Sequence, residues 1–135
     1  MADFSIFVSM PQQKTLMLID DDEDDREIFI SVIESIAPAI SCSIAINGKD
    51  ALDTLGALNF LPDMIFLDLN MPLMDGKQFL KEIKQRTMLK DIPIVVLSTS
   101  SDKETVHLIR TLGAQDFITK PDKYSDWEEV LKKLI

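Results

Sequence analysis

Four short apolar runs in this chain each end abruptly at a carboxylate, a hydroxyl group or a lysine. Runs of about four to eight residues rich in Val, Ile, Leu and Phe are typical of strands buried on both faces of a parallel sheet. The polar residue then lies at the carboxyl end of its strand, the edge at which open α/β sheets bind ligands. The pattern therefore predicts one cluster of polar side chains, made of Asp20, Asp21, Asp68, Ser98 and Lys120.

The apolar runs alternate with longer amphipathic stretches, which predicts five repeated βα units. Each intervening stretch is long enough to return the chain to a parallel strand, and such crossovers are almost always right-handed. At 135 residues the chain is expected to form one α/β domain over residues 14–135. The predicted strands are Thr15–Ile19, Cys42–Ile46, Met64–Leu67, Ile94–Leu97 and Asp116–Thr119.

Helix signals occur between the predicted strands. The acidic residues 22–25 suit the first turn of a helix, because negative charge there interacts favourably with the helix dipole. Two capping-box patterns predict the starts of the fourth and fifth helices, and a glycine is expected to end the fourth. The remaining signals are Asn47-Gly48 with a helix through Leu58, Asp75-Gly76 with a helix to about Gln85, Ser101-x-x-Glu104, Gly113 and Ser125-x-x-Glu128.

Charge and composition exclude several classes of protein. A net charge of −9 argues against a protein whose main task is to grip nucleic acid, which needs clustered Lys and Arg. Cys42 is the only cysteine, so it is expected to pack as a small apolar residue. No apolar run is long enough to span a bilayer or to act as a secretory signal, so we expect a cytoplasmic protein. Residues 1–13 are an extension that the pattern does not place, either a loose tail, an extra strand or an added segment.

The chemistry of the predicted cluster suits a metal ion and a phosphoryl group. Three carboxylates at one sheet edge repel one another unless a cation or protons intervene, and Mg²⁺ prefers such oxygen ligands. Lys120 would supply a positive charge and Ser98 a hydroxyl donor for phosphate oxygens, while a carboxylate can itself attack phosphorus. The simpler alternative is that Asp20 and Asp21 only solvate a strand end and cap a helix. Four matched strand ends favour the site.

These motifs, in this order, make the chain resemble a receiver domain of the two-component response-regulator family over about residues 14–135. The resemblance implies a doubly wound, flavodoxin-like (βα)5 sandwich with a five-stranded parallel sheet in the order 2-1-3-4-5. It also implies that a histidine kinase or a histidine phosphotransfer protein donates a phosphoryl group to the domain. The domain would then either pass the phosphoryl group on or change conformation and signal by contact to an unknown downstream protein, over the fourth helix, fifth strand and fifth helix.

The resemblance assigns a role to each residue of the cluster. Asp68 would be the phosphoacceptor. Ser98 would be the switch hydroxyl that reports the phosphoryl group, and Lys120 would pair with that group. Phe117 would be the switch aromatic, whose ring moves inward when Ser98 moves, although an ordinary core ring is the alternative. Mg²⁺ would be held by Asp21 directly, by Asp20 through a bound water, by Asp68 and by the main-chain carbonyl of Asn70.

Three features depart from the family pattern. The acidic run at residues 22–25 either raises cation affinity through its field or is only a solvated first turn, and we favour the second interpretation. Asp122 lies where an aromatic or apolar residue is common, which leaves the docking loop in question. Thr99 is larger than usual after the switch hydroxyl, so access to Asp68 would differ. His107 is expected to have a surface or packing role. Trp127 is expected to anchor the last helix to the sheet, and an exposed ring used for docking is the alternative.

Two other functions compete with a stand-alone phosphorylatable receiver. Aspartate-nucleophile phosphohydrolases use a similar carboxylate, Mg²⁺ and lysine, but those with an Asp-x-Asp motif need a general acid where this chain has Asn70. A degenerate receiver that binds partners without phosphorylation would not need the full set of site residues. Because the sequence ends soon after the fifth predicted helix, we expect no fused DNA-binding domain, no direct contact with nucleic acid or membrane, and a monomer or weak dimer.

Overall fold

A computed structural model of the protein describes residues 14–57 and 61–135. These residues form five parallel strands in the order β2-β1-β3-β4-β5, with five helices between and after them. The predicted doubly wound, flavodoxin-like sheet is therefore confirmed. The predicted extension at residues 1–13 and the predicted end of the second helix at Leu58 lie outside the described residues. The strands are β1 (Thr15–Ile19), β2 (Ser41–Ala45), β3 (Met64–Asp68), β4 (Ile94–Ser98) and β5 (Asp116–Thr119).

The strand register brings the polar strand ends to one edge of the sheet. Ile19 of β1 pairs with Leu67 of β3, so Asp20 and Asp68 follow them side by side. On the other side of β3, Asp68 pairs with Leu97, the residue before Ser98. The third and fourth strands end one residue later than predicted, because β3 includes Asp68 and β4 includes Ser98. The second strand begins and ends one residue earlier than predicted.

Several of the helices begin at a side-chain cap. They are α1 (Glu23–Ile36), α2 (Gly48–Ala57), α3 (Gly76–Lys84), α4 (Lys103–Thr111) and α5 (Tyr124–Leu134). The capping boxes predicted at Ser101 and Ser125 are wrong. Asp102 caps α4 by accepting the N–H of Thr105, because the backbone path brings its carboxylate, and not the Ser101 hydroxyl, to the start of the helix. No side chain caps α5, whose first flanking residue is Lys123, and the described capping box is instead formed by Asp75 and Gln78 at α3.

Gly113 ends α4 as the sequence predicts. Its φ of 106° lies in the region that L-residues with a β-carbon avoid. The N–H of Gly113 donates to the carbonyl of Arg110 at 3.0 Å, and the N–H of Ala114 donates to that of Ile109 at 3.1 Å. This pair of bonds is the Schellman motif, which satisfies carbonyls that the helix end would otherwise leave free.

Each face of the sheet carries its own apolar layer. Successive β1 residues alternate between the two layers, so Leu16 and Leu18 face α1 and α5 while Met17 and Ile19 face α2, α3 and α4. Trp127 of α5 is 3% exposed and its ring packs edge-on against Phe29 of α1, which confirms its predicted packing role. Among the described residues, no helix combines the length and the apolar character that crossing a membrane requires.

Candidate functional site

Four strand ends supply the side chains of the site. Asp20 and Asp21 follow β1, Asp68 ends β3, Ser98 ends β4 and Lys120 follows β5. The N–H of Asp20 still donates to the Ala45 carbonyl of β2 at 3.0 Å. The N–H of Lys120 donates to the Ser98 carbonyl at 2.8 Å. These residues therefore leave the sheet from fixed backbone positions, which limits how far their side chains can move.

Carboxylate oxygens of Asp20, Asp21 and Asp68 lie within 4.8 Å of one another. Asp20 is 1% exposed and Asp68 6% exposed, whereas Asp21 is exposed to solvent. Oxygens at this spacing, some buried and one open to water, suit a hard cation that keeps part of its hydration shell, as Mg²⁺ does. The predicted juxtaposition of the three carboxylates is present in the structure.

The loop after β3 approaches the site closely at Gly76. A β-carbon at this position would lie 2.8 Å from the Cα of Leu69 and 2.9 Å from the carbonyl oxygen of Asp68. The N–H of Gly76 donates to the carbonyl of Leu69 at 2.9 Å, which ties the start of α3 to the end of β3. Within the same loop, Leu73 adopts a φ of 67°, a left-handed conformation that is unusual for a leucine. The turn brings Asn70 to the wall of the site.

An open cavity of about 550 Å³ lies over the carboxylates. Its volume is sufficient for a hydrated cation together with a phosphoryl group. Asn70, Thr99 and Lys120 also line it. Its acidic wall consists of Asp21, Asp22, Glu23, Asp24, Asp25 and Asp68.

The ammonium group of Lys120 lies among three carboxylates. Its Nζ donates a hydrogen bond to Asp25 Oδ2 at 2.8 Å and another to Asp20 Oδ2 at 3.0 Å, and it lies 3.3 Å from Asp68 Oδ1. The Lys120 side chain is only 9% exposed, so these interactions are weakly screened by solvent. The contact with Asp20 and Asp68 matches the sequence prediction, whereas the bond to Asp25 was missed.

Burial sets the protonation of the two inner carboxylates. It raises the pKa of Asp68 from 3.8 to about 7, helped by the charge of Asp20 and opposed by that of Lys120. Burial also raises the pKa of Asp20, while the N–H of Asp22 and the Lys120 ammonium act in the opposite direction. Burial alone would lower the pKa of Lys120, but its hydrogen bond to Asp25 and the charges of Asp20 and Asp68 outweigh this and raise it. A bound cation would favour the charged form of both carboxyl groups.

Ser98 and Phe117 differ in their surroundings. Ser98 is fully buried, and its Oγ accepts the N–H of Ser100 at 3.1 Å. Phe117 of β5 is partly buried and packs against the apolar layer formed by α2, α3 and α4. Ser98 and Phe117 sit on the paired strands β4 and β5, where Phe117 is aligned with Val96, two residues before Ser98. Both predicted switch residues therefore lie on adjacent strands, outside the cavity lining described above.

Two contacts of α1 were missed from the sequence. Asp25 pairs with Lys120, and Arg26 Nη1 donates to the main-chain carbonyl of Asp20 at 3.0 Å. The available signal was helical periodicity. With Asp22 as the N-cap, Asp25 lies in the first turn of α1 and Arg26 directly after it, so both are next to the strand ends.

The site lies in a chain with many known relatives. The chain is 31% identical over 118 residues to the probable C4-dicarboxylate response regulator DctR of Bacillus subtilis, and the match covers 87% of this chain and 50% of that protein. It is 40% identical over 110 residues to a protein-glutamate methylesterase of Treponema pallidum, covering 78% of this chain and 26% of that protein. This chain thus spans half or less of these two relatives. It is 32% identical over 138 residues to the two-component response regulator ARR17 of Arabidopsis thaliana, covering 93% and 88%.

Solved structures with the same fold include a phosphorylated and a metal-bound response regulator. The phosphorylated cyanobacterial phytochrome response regulator RcpA superposes with a TM-score of 0.84 at 30% identity, covering 91% of each chain. The Mn²⁺-bound response regulator Rcp1 superposes with a TM-score of 0.79 at 29% identity, covering 90% and 91%. The family model of the response regulator receiver domain matches residues 16–132. This chain belongs to the response regulator receiver domain family.

Proposed function

We propose that this receiver accepts a phosphoryl group on Asp68, with Mg²⁺ bound beside it, from a histidine kinase or a histidine phosphotransfer protein. The observation that carries the proposal is the position of Asp68. It is within 4.8 Å of two further carboxylates and 3.3 Å from the Lys120 ammonium. A cation on one side and an ammonium on the other are what a phosphoryl group transferred to this carboxylate would need.

The chain's own residues would carry the transfer in a simple sequence. An Asp68 carboxylate oxygen forms a bond to phosphorus as the bond from phosphorus to the donor breaks, and the donor atom leaves with the electron pair. With a phosphohistidine donor that atom is an imidazole nitrogen, and the phosphoryl group moves as a unit to give an acyl phosphate. Lys120 pairs with the phosphoryl oxygens throughout. When bound, Mg²⁺ supplies charge neutralisation for the same oxygens.

The proposed ligands of that ion follow the sequence prediction. Asp21 and Asp68 would bind it directly, Asp20 through a water, and Asn70 through its main-chain carbonyl. Asp21 is exposed and Asn70 lines the cavity, so both have access to a hydrated cation. Asp20 is buried and its two oxygens accept hydrogen bonds from the Asp22 N–H and from Lys120, which suits a residue that contacts the ion only through a water.

Signalling would follow from a rearrangement of β4 and β5. The Ser98 hydroxyl would turn from the Ser100 N–H to a phosphoryl oxygen, and the Phe117 ring would fill the space that Ser98 and its loop vacate. Surface changes on α4, β5 and α5 would then be read by a downstream protein. We place the chain in the cytoplasm, as a monomer or weak dimer that acts by protein contact and not on nucleic acid.

Intact-mass spectrometry after incubation with Mg²⁺ and a small phosphodonor tests the proposal. Acetyl phosphate and phosphoramidate would be compared, since the second has a P–N bond like that of phosphohistidine. We expect one added phosphoryl group on the wild type and on Asp53→Asn, which changes an exposed carboxylate of α2. Asp68→Asn should gain none. Labelling of Asp68→Asn, or no labelling of any protein with either donor, would contradict the proposal.

A further inference from the structure

Lys120 holds its shortest contact with a carboxylate that the proposed chemistry does not use. Asp25 Oδ2 accepts a hydrogen bond from Nζ at 2.8 Å, whereas the nearest oxygen of Asp68 lies at 3.3 Å. An ammonium has three N–H donors, and two of them are committed here to Asp25 and Asp20. The resting position of Lys120 is therefore drawn toward α1 and away from the phosphoacceptor.

The start of α1 holds Asp25 in place. Asp22 caps the helix, and its Oδ1 accepts the N–H of Asp24 at 2.9 Å and the N–H of Asp25 at 3.2 Å. The Asp25 side chain is 29% exposed, so its ion pair with the nearly buried Lys120 is partly shielded from water. A partly desolvated, hydrogen-bonded pair of this kind is stronger than a surface salt bridge.

Of the two hydrogen-bonded carboxylates, Asp25 is the one that Lys120 can release. Asp20 is buried, and its other oxygen accepts the N–H of Asp22 at 2.9 Å, so its position is fixed. Asp25 has water on one side and needs no cation to remain solvated. A phosphoryl group on Asp68 would add negative charge within reach of both Lys120 and Asp25, attracting the first and repelling the second.

We infer that Asp25 is a positioning residue that retains Lys120 in the unphosphorylated receiver and competes with the phosphoryl group for it. This inference rests on the proposed function of Asp68. It predicts that removing the Asp25 charge frees a donor of Lys120 and also lowers the repulsion of an incoming phosphoryl group. Both effects act in the same direction, so the receiver should bind a phosphoryl mimic more tightly without Asp25.

Asp24 provides a matched control for that prediction. It lies next to Asp25 in the first turn and lines the same cavity, but it is not among the partners of Lys120. Asp24→Asn therefore removes the same charge from the same wall without touching the ion pair. The difference between Asp25→Asn and Asp24→Asn isolates the contact with Lys120 from the general field of the acidic run.

The experiment is titration with beryllium trifluoride at saturating Mg²⁺, monitored by ¹⁹F NMR on the full chain. We expect Asp25→Asn to bind the mimic about 3- to 10-fold more tightly than Asp24→Asn, in keeping with one partly shielded ionic hydrogen bond. Asp25→Glu, which can keep the ion pair, should stay near the wild type. Mg²⁺ affinity without the mimic should be alike in Asp25→Asn and Asp24→Asn. In a Lys120→Met background the two substitutions should have equal effects on binding of the mimic.

Each outcome decides between the alternatives. Equal binding by Asp25→Asn and Asp24→Asn would show that Asp25 acts only through its charge, and weaker binding by Asp25→Asn would show that it orders Lys120 for the phosphoryl group. Either result overturns the inference while leaving the proposed function standing. A wild type that fails to bind the mimic would overturn the proposed function and this inference with it. If Asp25→Asn does not fold, Asp25→Ser serves as the second variant that lacks the charge.

Discussion

Replacing Asp68 by asparagine should stabilise the metal-free protein, and the gain should increase with pH. The structural cause is the burial of Asp68 beside Asp20, which raises its pKa from 3.8 to about 7. A carboxyl group whose pKa is higher in the folded than in the unfolded state binds more protons when folded. Its contribution to stability therefore falls as pH rises between the two values. Asparagine has nearly the same shape and does not ionise.

The size of the effect follows from the pKa. A rise from 3.8 to about 7 corresponds to ~4 kcal/mol at about 1.4 kcal/mol per pH unit. The coupled carboxyl of Asp20 shares the available protons, which makes that figure an upper limit. We expect Asp68→Asn to raise the free energy of unfolding by about 2–4 kcal/mol at about pH 7.5, and by little at about pH 4. Carboxyl groups that do not interact with Asp68 affect both proteins alike and cancel in the difference.

Urea unfolding in EDTA, followed by the fluorescence of Trp127, measures this difference. Trp127 is the only tryptophan and is 3% exposed, so its emission reports loss of the packed state. Asp53→Asn serves as the control and should show no comparable trend. A gain for Asp68→Asn that does not change with pH, or a loss of stability at neutral pH, would refute the argument from burial. Saturating Mg²⁺ should reverse the order by stabilising the wild type more strongly.

Three further predictions follow from local geometry. Gly76→Ala should lower the free energy of unfolding by about 1–3 kcal/mol, because the added β-carbon would lie 2.8 Å from the backbone Cα of Leu69. The control is Gly56→Ala in α2, whose β-carbon would meet nothing within 4 Å and which should be neutral or stabilising. Asp102→Ala should destabilise by about 0.5–2 kcal/mol through loss of the α4 cap, and Ser101→Ala by much less, as chemical denaturation would show. Beryllium trifluoride with Mg²⁺ should shift the ring resonances of Phe117 in ¹³C-phenylalanine-labelled protein. Unchanged resonances would count against the switch.

The sheet could be predicted from the sequence because its strands are buried on both faces. Runs such as Val95 to Leu97 have no polar face, so their length and the polar residue that ends them mark the strand and its carboxyl end together. Helix starts were less predictable, because several polar residues near one another can each serve as a cap. Ser101 and Asp102 are adjacent potential caps of α4, and only the backbone path shows that the carboxylate of Asp102 reaches the free N–H group.

The site could be predicted only in part for a related reason. Asp20, Asp68, Ser98 and Lys120 are placed by strand ends, and strand ends are visible in the sequence. Asp25 is placed by the direction in which α1 leaves β1, which depends on the Asp22 cap and on packing against α5. A run of acidic residues carries no sign of which member turns inward. The prediction that the run is only a solvated first turn is therefore wrong for Asp25.

The ion pair between Lys120 and Asp20 joins positions 100 residues apart. A ribosome would deliver the carboxylates of β1 and β3 long before it delivered their cation, which arrives with the last strand of the sheet. Until β5 pairs with β4, the nascent chain would have this acidic cluster without the ammonium group that pairs with it, and a sheet edge still open. If Asp68 is the phosphoacceptor, as we propose, a partly made molecule would still lack the lysine that pairs with the phosphoryl group.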